Sequence, residues 1–256
     1  MPDAGGPLDE TRSRFPNGDQ EIDAMYVRPQ GAGVVPGVVL LHDVYGLTDH
    51  IKDVARRLAS QGYGVLAVDL YSRGGQPGWP PKREEIARMI NFPDPRTLTD
   101  VQAAVIALQA RPDVASDRVG LVGFSLGARY SLLACGDGAQ VAAALMFYPV
   151  VVYPELTEAR PRQPLQSVPR IQCPCAVFYG DRDATVPLAH ATFFRSLLEG
   201  HGKRHEFHLY PGANHGFFNP TIKTYDHEAA EDAWAKSLAF LKRHLRTGGK
   251  RLRDER

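Results

Sequence analysis

Ser125 is the residue whose surroundings point most directly to chemistry. It occupies the centre of a G-x-S-x-G pentapeptide, residues 123–127, between the apolar run 119–122 and the helix-like segment 128–134. A strand that ends in this pattern and turns at once into a helix forms a nucleophile elbow, in which the two glycines leave room for a tight turn. The hydroxyl then projects above the sheet at a helix N-terminus, where the helix dipole favours negative charge. The pattern therefore predicts a nucleophilic serine.

A serine nucleophile needs a base that accepts its proton and an acid that orients the base. Asp181 and Asp183 follow a predicted strand at 175–179, and His215 follows the predicted last strand at 206–210. Both loops leave the carboxyl ends of strands, the edge at which open α/β sheets bind ligands. His215 is the only histidine of its loop, and we predict that it is the base. The residues alone leave Asp181 and Asp183 open as the acid.

Two backbone N–H groups must also stabilise the oxyanion that forms during attack. One is expected from Leu126, next to the nucleophile, and the other from Val44, in the loop after the predicted strand 34–41. Asp43 lies in the same loop, where a carboxylate would repel the developing negative charge unless it is held aside. Two interpretations of Asp43 stay open: a cap or brace for the helix after Thr48, and a role in the site.

Other residue types that bind metals or redox partners are also present. The spacing of His201, His205 and His208 is compatible with a metal site, but glycines interrupt the segment and a strand begins near residue 206, so no metal is predicted. The chain has three cysteines, at positions 135, 173 and 175. An odd number without framework spacing indicates a reducing compartment. We interpret Cys135 as a small buried hydrophobe, and the spacing of the other two disfavours metal or redox use.

The bulk composition excludes several classes of function. The 256 residues include 30 basic and 29 acidic side chains, a net charge of +1 that gives no reason to expect nucleic acid or an anionic membrane as partner. Residues 1–19 read as a flexible N-terminal arm, 20–246 as one domain and 247–256 as a basic C-terminal tail. No signal peptide or membrane-spanning run is recognised, so we expect a cytoplasmic protein. The expected oligomeric state is a monomer or a weak homodimer.

Strand and helix patterns alternate along the domain, which predicts an α/β fold with a mostly parallel sheet and helices on both faces. The Pro-rich segment 151–170 is too short for a lid domain and is interpreted as a surface loop. The predicted strands are 22–27, 34–41, 64–69, 119–124, 141–148, 175–179 and 206–210. The predicted helices are 51–60, 82–90, 98–109, 188–198 and 225–245.

These residues together carry a family resemblance that extends from about residue 20 to residue 245. The chain resembles the dienelactone hydrolase family of the α/β-hydrolase superfamily. The resemblance implies the α/β-hydrolase fold and a triad of Ser125, Asp183 and His215, because the family pattern has its acid three residues after Gly180 and shortly before a Val-Pro pair. The matching segments are 42–46, 61–64, 69–73, 119–127, 180–187 and 210–219.

Three positions depart from the family's namesake enzymes. Those enzymes carry Cys where this chain has Ser125, and Glu where it has Asp43. They also hold a substrate carboxylate through an Arg shortly after the histidine, where this chain has Phe217-Phe218-Asn219. These differences favour a substrate other than dienelactone itself.

We therefore predict a serine hydrolase that cleaves small carboxylic esters or lactones through an acyl-enzyme, without a cofactor. A peptidase or acyl-transferase on the same fold, and a catalytically silent binding module, are the alternatives. Arg73 and Arg129 could contact an anionic group, although a surface ion pair is the favoured interpretation of each. The aromatic candidates for the substrate pocket are Tyr45, Tyr71, Trp79, Phe147, Tyr148 and Phe217.

Overall fold

An eight-stranded sheet forms the centre of the molecule. The computed structural model describes residues 6–74, 82, 84–85 and 92–246. The strand order is β1-β2-β4-β3-β5-β6-β7-β8; the first two pairs are antiparallel, and the six strands from β4 to β8 run parallel. The strands are β1 Leu8–Asn17, β2 Gln20–Pro29, β3 Val35–Leu41, β4 Gly64–Val68, β5 Val114–Phe124, β6 Ala143–Phe147, β7 Cys175–Gly180 and β8 His205–Tyr210.

Helices cover the sheet and bury its central strands. Every residue of β3, β4, β6 and β7 is buried, which explains why these strands are continuous apolar runs rather than alternating ones. The predicted α/β fold with a mostly parallel sheet is confirmed, and the described residues include no lid domain. The helices are α1 Asp49–Ser60, α2 Asp94–Gln109, α3 Leu126–Gly136, α4 Leu188–Gly200 and α5 His227–Leu241.

The first helix shows how the sequence determines these elements. In α1 the apolar side chains Ile51, Val54 and Leu58 are spaced three or four residues apart, so they lie on one face and are buried against β2 and β4. The helix ends just before Gly62, whose φ of 86° is a conformation that glycine adopts without strain. Within the described residues, no helix combines the length and apolarity needed to cross a membrane.

The expected flexible arm over residues 1–19 is wrong for residues 8–17, which form β1. The chain turns back at Gly18, where φ is 63°, and β1 pairs with β2 along its whole length from Leu8↔Pro29 to Asn17↔Gln20. Phe15 is buried under this hairpin and anchors it to the core. The two-residue loop is Gly18-Asp19, and glycine at the first loop position is a hairpin signal because it tolerates positive φ.

The other predicted element boundaries lie closer to the observed ones. β5 begins at Val114 rather than 119, because residues 114–115 pair with the start of β3. The Pro-rich segment contains a 3-10 helix, Pro164–Arg170, that packs on α3 so closely that a Cβ at Gly136 would lie 2.3 Å from Ser167. Most of the helix predicted at 82–90, and the tail predicted at 247–256, lie outside the described residues.

The topology creates one crevice at the carboxyl edge of the sheet. From β3 the chain crosses to β4 on one side, and from β5 it crosses to β6 on the other side. Because β3 and β5 are neighbours, the loops that leave them diverge, and ligands of open α/β sheets bind at such a switch point. The loop after β3 carries Val44, and Ser125 directly follows β5.

Candidate active site

Ser125 adopts the strained backbone of a nucleophile elbow. Its φ of 48° and ψ of −104° are unusual for a residue other than glycine. The turn needs both flanking glycines: a Cβ at Gly123 would lie 2.5 Å from the Gly127 carbonyl, and one at Gly127 would lie 2.4 Å from the Leu41 carbonyl oxygen. The Ser125 N–H donates to the Phe147 carbonyl at 2.9 Å, which anchors the elbow to β6.

Three predicted site residues meet above this elbow. Ser125 Oγ lies 2.8 Å from His215 Nε2, and His215 Nδ1 lies 2.8 Å from Asp183 Oδ2. An ionised carboxylate can only accept hydrogen bonds, so the imidazole proton belongs on Nδ1. Nε2 is then free to accept the serine proton, which is the arrangement that general-base catalysis requires.

Backbone groups fix the carboxylate of Asp183. Its second oxygen, Oδ1, accepts the N–H groups of Thr185 at 2.8 Å and Val186 at 2.7 Å. Asp181 does not face the imidazole: its Oδ1 accepts the Gly212 N–H at 2.7 Å and braces the neighbouring loop. Of the two acids that the sequence left open, the structure therefore brings Asp183 to His215.

Asn214, which the sequence analysis did not single out, holds the two loops together. Its side-chain oxygen accepts the Ala184 N–H at 3.0 Å and the His215 N–H at 2.7 Å. At the other side of the loop, the Thr224 hydroxyl donates to the His215 carbonyl at 2.7 Å. An Asn directly before the candidate base, in a Gly-rich turn, was the available signal, because Asn side chains commonly bond to nearby backbone.

The two expected oxyanion donors belong to adjacent, mutually bonded segments. The Gly127 N–H donates to the His42 carbonyl at 3.0 Å, which ties the first turn of α3 to the loop after β3. Within the described part of the chain, the N–H groups of Val44 and Leu126 have no backbone partner in that loop or at that helix terminus. Neither N–H group is thus committed to a carbonyl there, and their role as oxyanion donors stays a prediction.

His42 fixes the peptide unit that contains one of these donors. Its Nδ1 donates to the Asp43 carbonyl at 2.6 Å, and its Nε2 accepts the Leu70 N–H at 3.0 Å. The Asp43 carbonyl and the Val44 N–H belong to one planar peptide, so holding the oxygen also orients the N–H. Burial lowers the pKa of His42, which keeps the neutral tautomer that this bridge needs. The sequence analysis missed this residue because the contact with Leu70 is not local.

Asp43 is buried in the site beside His215. Burial raises the pKa of its carboxyl to about 6, against the opposing effects of the Tyr45 N–H, His215 and Asn219. Its Oδ1 accepts the Tyr45 N–H at 2.8 Å, so it braces its own loop. It does not cap α1, whose N-cap residue is Thr48.

The aromatic residues predicted for the substrate pocket differ in their contacts and in their burial. The ring of Tyr148 meets His215 edge-on at 4.9 Å, and its φ of 41° is the second positive value among the described residues other than glycine. Tyr71, Phe147, Tyr148 and Phe217 are all at most 1% exposed, so none of these four side chains lines an open surface of the pocket. Tyr45 is half-buried on the loop, and Trp79 lies outside the described residues.

Tyr71 has a defined supporting contact. Its hydroxyl donates to the Val44 carbonyl at 3.0 Å, one peptide beyond the unit that His42 holds. The loop after β3 is thus fixed from both sides of Val44. The prediction of Tyr71 as a substrate contact is corrected to a support of the expected oxyanion loop.

Neither arginine proposed for an anionic substrate group is exposed as a surface residue. Arg73 pairs with Asp100 at 2.7 Å and also donates to the Asn17 carbonyl at 3.3 Å. Arg129 is 1% exposed, and its partners include the Tyr130 hydroxyl at 2.8 Å and Asp94 at 3.8 Å. Both arginines form ion pairs as expected, but the expected surface location is wrong, because their partners Asp100 and Asp94 are buried.

The histidines considered for a metal have other contacts. His205 Nδ1 lies 2.8 Å from the Lys203 carbonyl, and His208 stacks on Phe178 at 5.0 Å. The described residues contain no cluster of three or more His, Cys, Asp or Glu side chains arranged to hold a metal ion.

Comparison with known proteins identifies the family of the chain. The sequence profile of the dienelactone hydrolase family matches residues 22–245. The chain belongs to the dienelactone hydrolase family. It is therefore a carboxylic ester hydrolase with the α/β-hydrolase fold.

Individual relatives of this dienelactone hydrolase family member extend over most of its length. A Bradyrhizobium protein named as a 2-oxo-3-(5-oxofuran-2-ylidene)propanoate lactonase is 31% identical and covers 90% of this chain and 92% of its own. A Synechocystis protein named as a carboxymethylenebutenolidase is 29% identical, over 91% and 96% of the two chains. The crystal structure of a Klebsiella pneumoniae protein named as a dienelactone hydrolase superimposes with a TM-score of 0.86 at 27% identity, over 92% and 99%.

Proposed function

We propose that this hydrolase cleaves small carboxylic esters or lactones through a covalent acyl-enzyme on Ser125. The observation that carries the proposal is the continuous hydrogen-bonded line from Ser125 Oγ through His215 to Asp183, with both distances at 2.8 Å. Membership of the dienelactone hydrolase family supports the reaction class. The Bradyrhizobium relative is named as a lactonase and the Synechocystis relative as a carboxymethylenebutenolidase, and both names favour lactones as the substrate class.

Acylation follows from the order of these groups. His215 Nε2 takes the proton of Ser125 as Oγ forms a bond with the carbonyl carbon, and negative charge moves to the carbonyl oxygen. The N–H groups of Val44 and Leu126 stabilise that charge because they are held in place before the reaction begins. The protonated imidazole then gives its proton to the departing alcohol oxygen, and the ester bond breaks. In a lactone that oxygen stays attached to the acyl group.

Deacylation reuses the same residues. His215 takes a proton from a water molecule, which attacks the acyl carbon and forms a second oxyanion beside Val44 and Leu126. Collapse of this intermediate breaks the bond to Ser125 Oγ and returns the proton to the serine. The Asp183 carboxylate, held in place by the two backbone N–H groups that it accepts, stabilises the imidazolium that forms in each step.

Labelling with an organophosphonate ester tests the assignment of Ser125. One adduct per chain, mapped to Ser125, is expected, and Ser125→Ala should lose both the adduct and at least about 10³-fold in kcat with a nitrophenyl ester. Ser131→Ala is the matched control: this serine lies on the same helix, and its hydroxyl donates only to the Gly127 carbonyl at 3.0 Å. Activity of Ser125→Ala within tenfold of wild type, or labelling at another residue, would overturn the proposal.

A panel of substrates tests which esters or lactones the enzyme prefers. Short-chain esters, simple lactones and the carboxylate-bearing dienelactone should be compared by kcat/KM. Arg73 and Arg129 are already paired with Asp100 and Asp94, so we expect neutral esters or lactones to exceed dienelactone. A higher kcat/KM for dienelactone would show that other residues recognise its carboxylate, without changing the role of Ser125.

A further inference from the structure

Two cysteines that are far apart in sequence have their sulfur atoms in contact. Cys135 lies near the end of α3, and Cys173 lies two residues before β7. Their Sγ atoms are 3.8 Å apart, and both residues are free thiols. The candidate active site uses neither of them.

We propose that Cys135 and Cys173 form an oxidation site that closes to an intramolecular disulfide when the protein meets a hydroperoxide. The sulfurs would need to approach by less than about 2 Å to reach the length of a disulfide bond, near 2.05 Å. Rotation of the two side chains supplies movement of this size. Cys173 lies before the first residue of β7, whose N–H is already anchored to the Arg204 carbonyl at 3.0 Å.

Exposure and charge give the two sulfurs different roles. Cys173 is partly exposed, so a small oxidant can reach it, whereas Cys135 is buried. The hydrogen bond between the two thiols lowers the pKa of Cys173, and the Arg204 charge acts in the same direction. The same hydrogen bond and burial raise the pKa of Cys135. Because Cys173 is the sulfur that an oxidant can reach, it is the one oxidised first, and the buried Cys135 thiol resolves it.

The chemistry balances with the hydroperoxide as the oxidant. The Cys173 thiolate attacks the peroxide oxygen, the O–O bond breaks, and an alkoxide or hydroxide leaves and takes up a proton, which produces a sulfenic acid. The Cys135 sulfur then attacks Cys173 Sγ. The S–S bond forms, the S–O bond breaks, and hydroxide combines with the Cys135 proton as water. The two thiols lose two electrons, and the peroxide gains them.

The site is remote from the triad. Cys135 is ten residues after Ser125 on the same helix, and helical rise makes this separation about 15 Å. The bridge would join the C-terminal end of α3 to the N-terminal end of β7, whereas Asp183 follows the C-terminal end of β7. We therefore expect oxidation to change ester hydrolysis by less than about twofold, which keeps this inference independent of the proposed function.

Mass spectrometry of the full chain tests the proposal. After hydrogen peroxide treatment and alkylation, the intact mass should show one disulfide and one alkylated thiol, and peptide fragmentation should join Cys135 to Cys173. Cys173→Ser should form no bridge, whereas Cys175→Ala should form it as readily as wild type. In Cys135→Ala the oxidised Cys173 lacks its partner and should be trapped by dimedone as a sulfenic acid adduct.

Two results would overturn the proposal. The first uses a peroxide dose that oxidises Cys173 in Cys135→Ala. If all three thiols of the wild-type chain remain alkylatable at that dose, the proposal is wrong. The other is a bridge that involves Cys175. The melting temperature provides a second readout, because a disulfide that closes a long loop restricts the unfolded chain: oxidation should raise it by several degrees, on the order of 5 °C, in wild type but not in Cys173→Ser.

Discussion

Substitution of Asp183 by Asn tests the proposed triad most sharply, because the structure predicts which way the new amide turns. One carboxylate oxygen of Asp183 accepts the N–H groups of Thr185 and Val186, and the other accepts His215 Nδ1. In Asp183→Asn the amide oxygen should take the position that faces the two N–H groups. The opposite orientation would set an NH₂ group against two backbone N–H donors, at a cost of about 2 kcal/mol.

That orientation presents the Asn NH₂ group to His215 Nδ1. The imidazole must then accept at Nδ1 and carry its proton on Nε2, where it cannot receive the proton of Ser125. A preference of about 2 kcal/mol leaves only a few per cent of molecules in the productive arrangement, and the loss of the negative charge weakens the imidazolium further. We expect kcat to fall about 10²- to 10⁴-fold, which corresponds to about 2.7–5.4 kcal/mol, with little change in KM or in melting temperature.

Asp181→Asn is the matched control for this experiment. Its amide oxygen can still accept the Gly212 N–H that Asp181 accepts at 2.7 Å, so kcat should fall less than about tenfold. Steady-state kinetics with a nitrophenyl ester on both purified variants provide the comparison. Greater damage from Asp181→Asn, or an Asp183→Asn enzyme within tenfold of wild type, would refute the assignment of the acid.

Three further predictions concern the surroundings of the triad. The raised pKa of Asp43, about 6 against an ordinary 3.8, means that the folded state holds a proton which the unfolded state releases between about pH 4 and 6, so stability falls as pH rises through this window. Asp43→Asn should therefore stabilise the protein at pH 8 by up to about 3 kcal/mol and by much less at pH 4, as measured by thermal melts at both pH values; an equal gain at both would contradict the ionisation argument. Gly127→Ala should abolish activity and lower the melting temperature, because its Cβ would lie 2.4 Å from a backbone oxygen, whereas Gly33→Ala, with no atom within 4 Å, should behave as wild type in both assays. Tyr71→Phe removes the hydrogen bond to the Val44 carbonyl and should lower kcat about 3- to 10-fold with an unchanged KM; a kcat equal to that of wild type would show that the loop does not need this support.

The elbow and the two later loops were predictable because their signals are local. A strand before Ser125 and glycines on both sides of it describe the turn completely, and the order of the parallel strands brings the loop of His215 to the same edge. The meeting of these side chains follows from sequence, while their catalytic roles stay a prediction. The choice between Asp181 and Asp183 could not be made from composition, because it depends on which carboxylate reaches the Gly212 N–H.

The features that sequence reasoning missed depend on contacts between distant segments. The bridge from His42 to Leu70 joins the loops after β3 and β4, and only the folded sheet makes them neighbours. The raised pKa of Asp43 comes from burial in the folded protein, and two of the groups that oppose it, His215 and Asn219, lie far along the chain. The hairpin at Gly18 is different, because the loop Gly18-Asp19 was a local signal. Sequence reasoning missed it because the many charged residues of the edge strand suggested a solvated arm.

The position of the triad along the chain makes activity a reporter of complete folding. Asp183 and His215 follow β7 and β8, the last two strands of the sheet, while Ser125 follows β5. A chain that leaves the ribosome folds from its N-terminus, and long-range parallel pairing forms slowly. In the proposed mechanism, a nascent or truncated chain that ends before His215 would present an elbow without its base and would be inert. The hydroxyl of Ser125 would thus become reactive only after the final strand had joined the sheet.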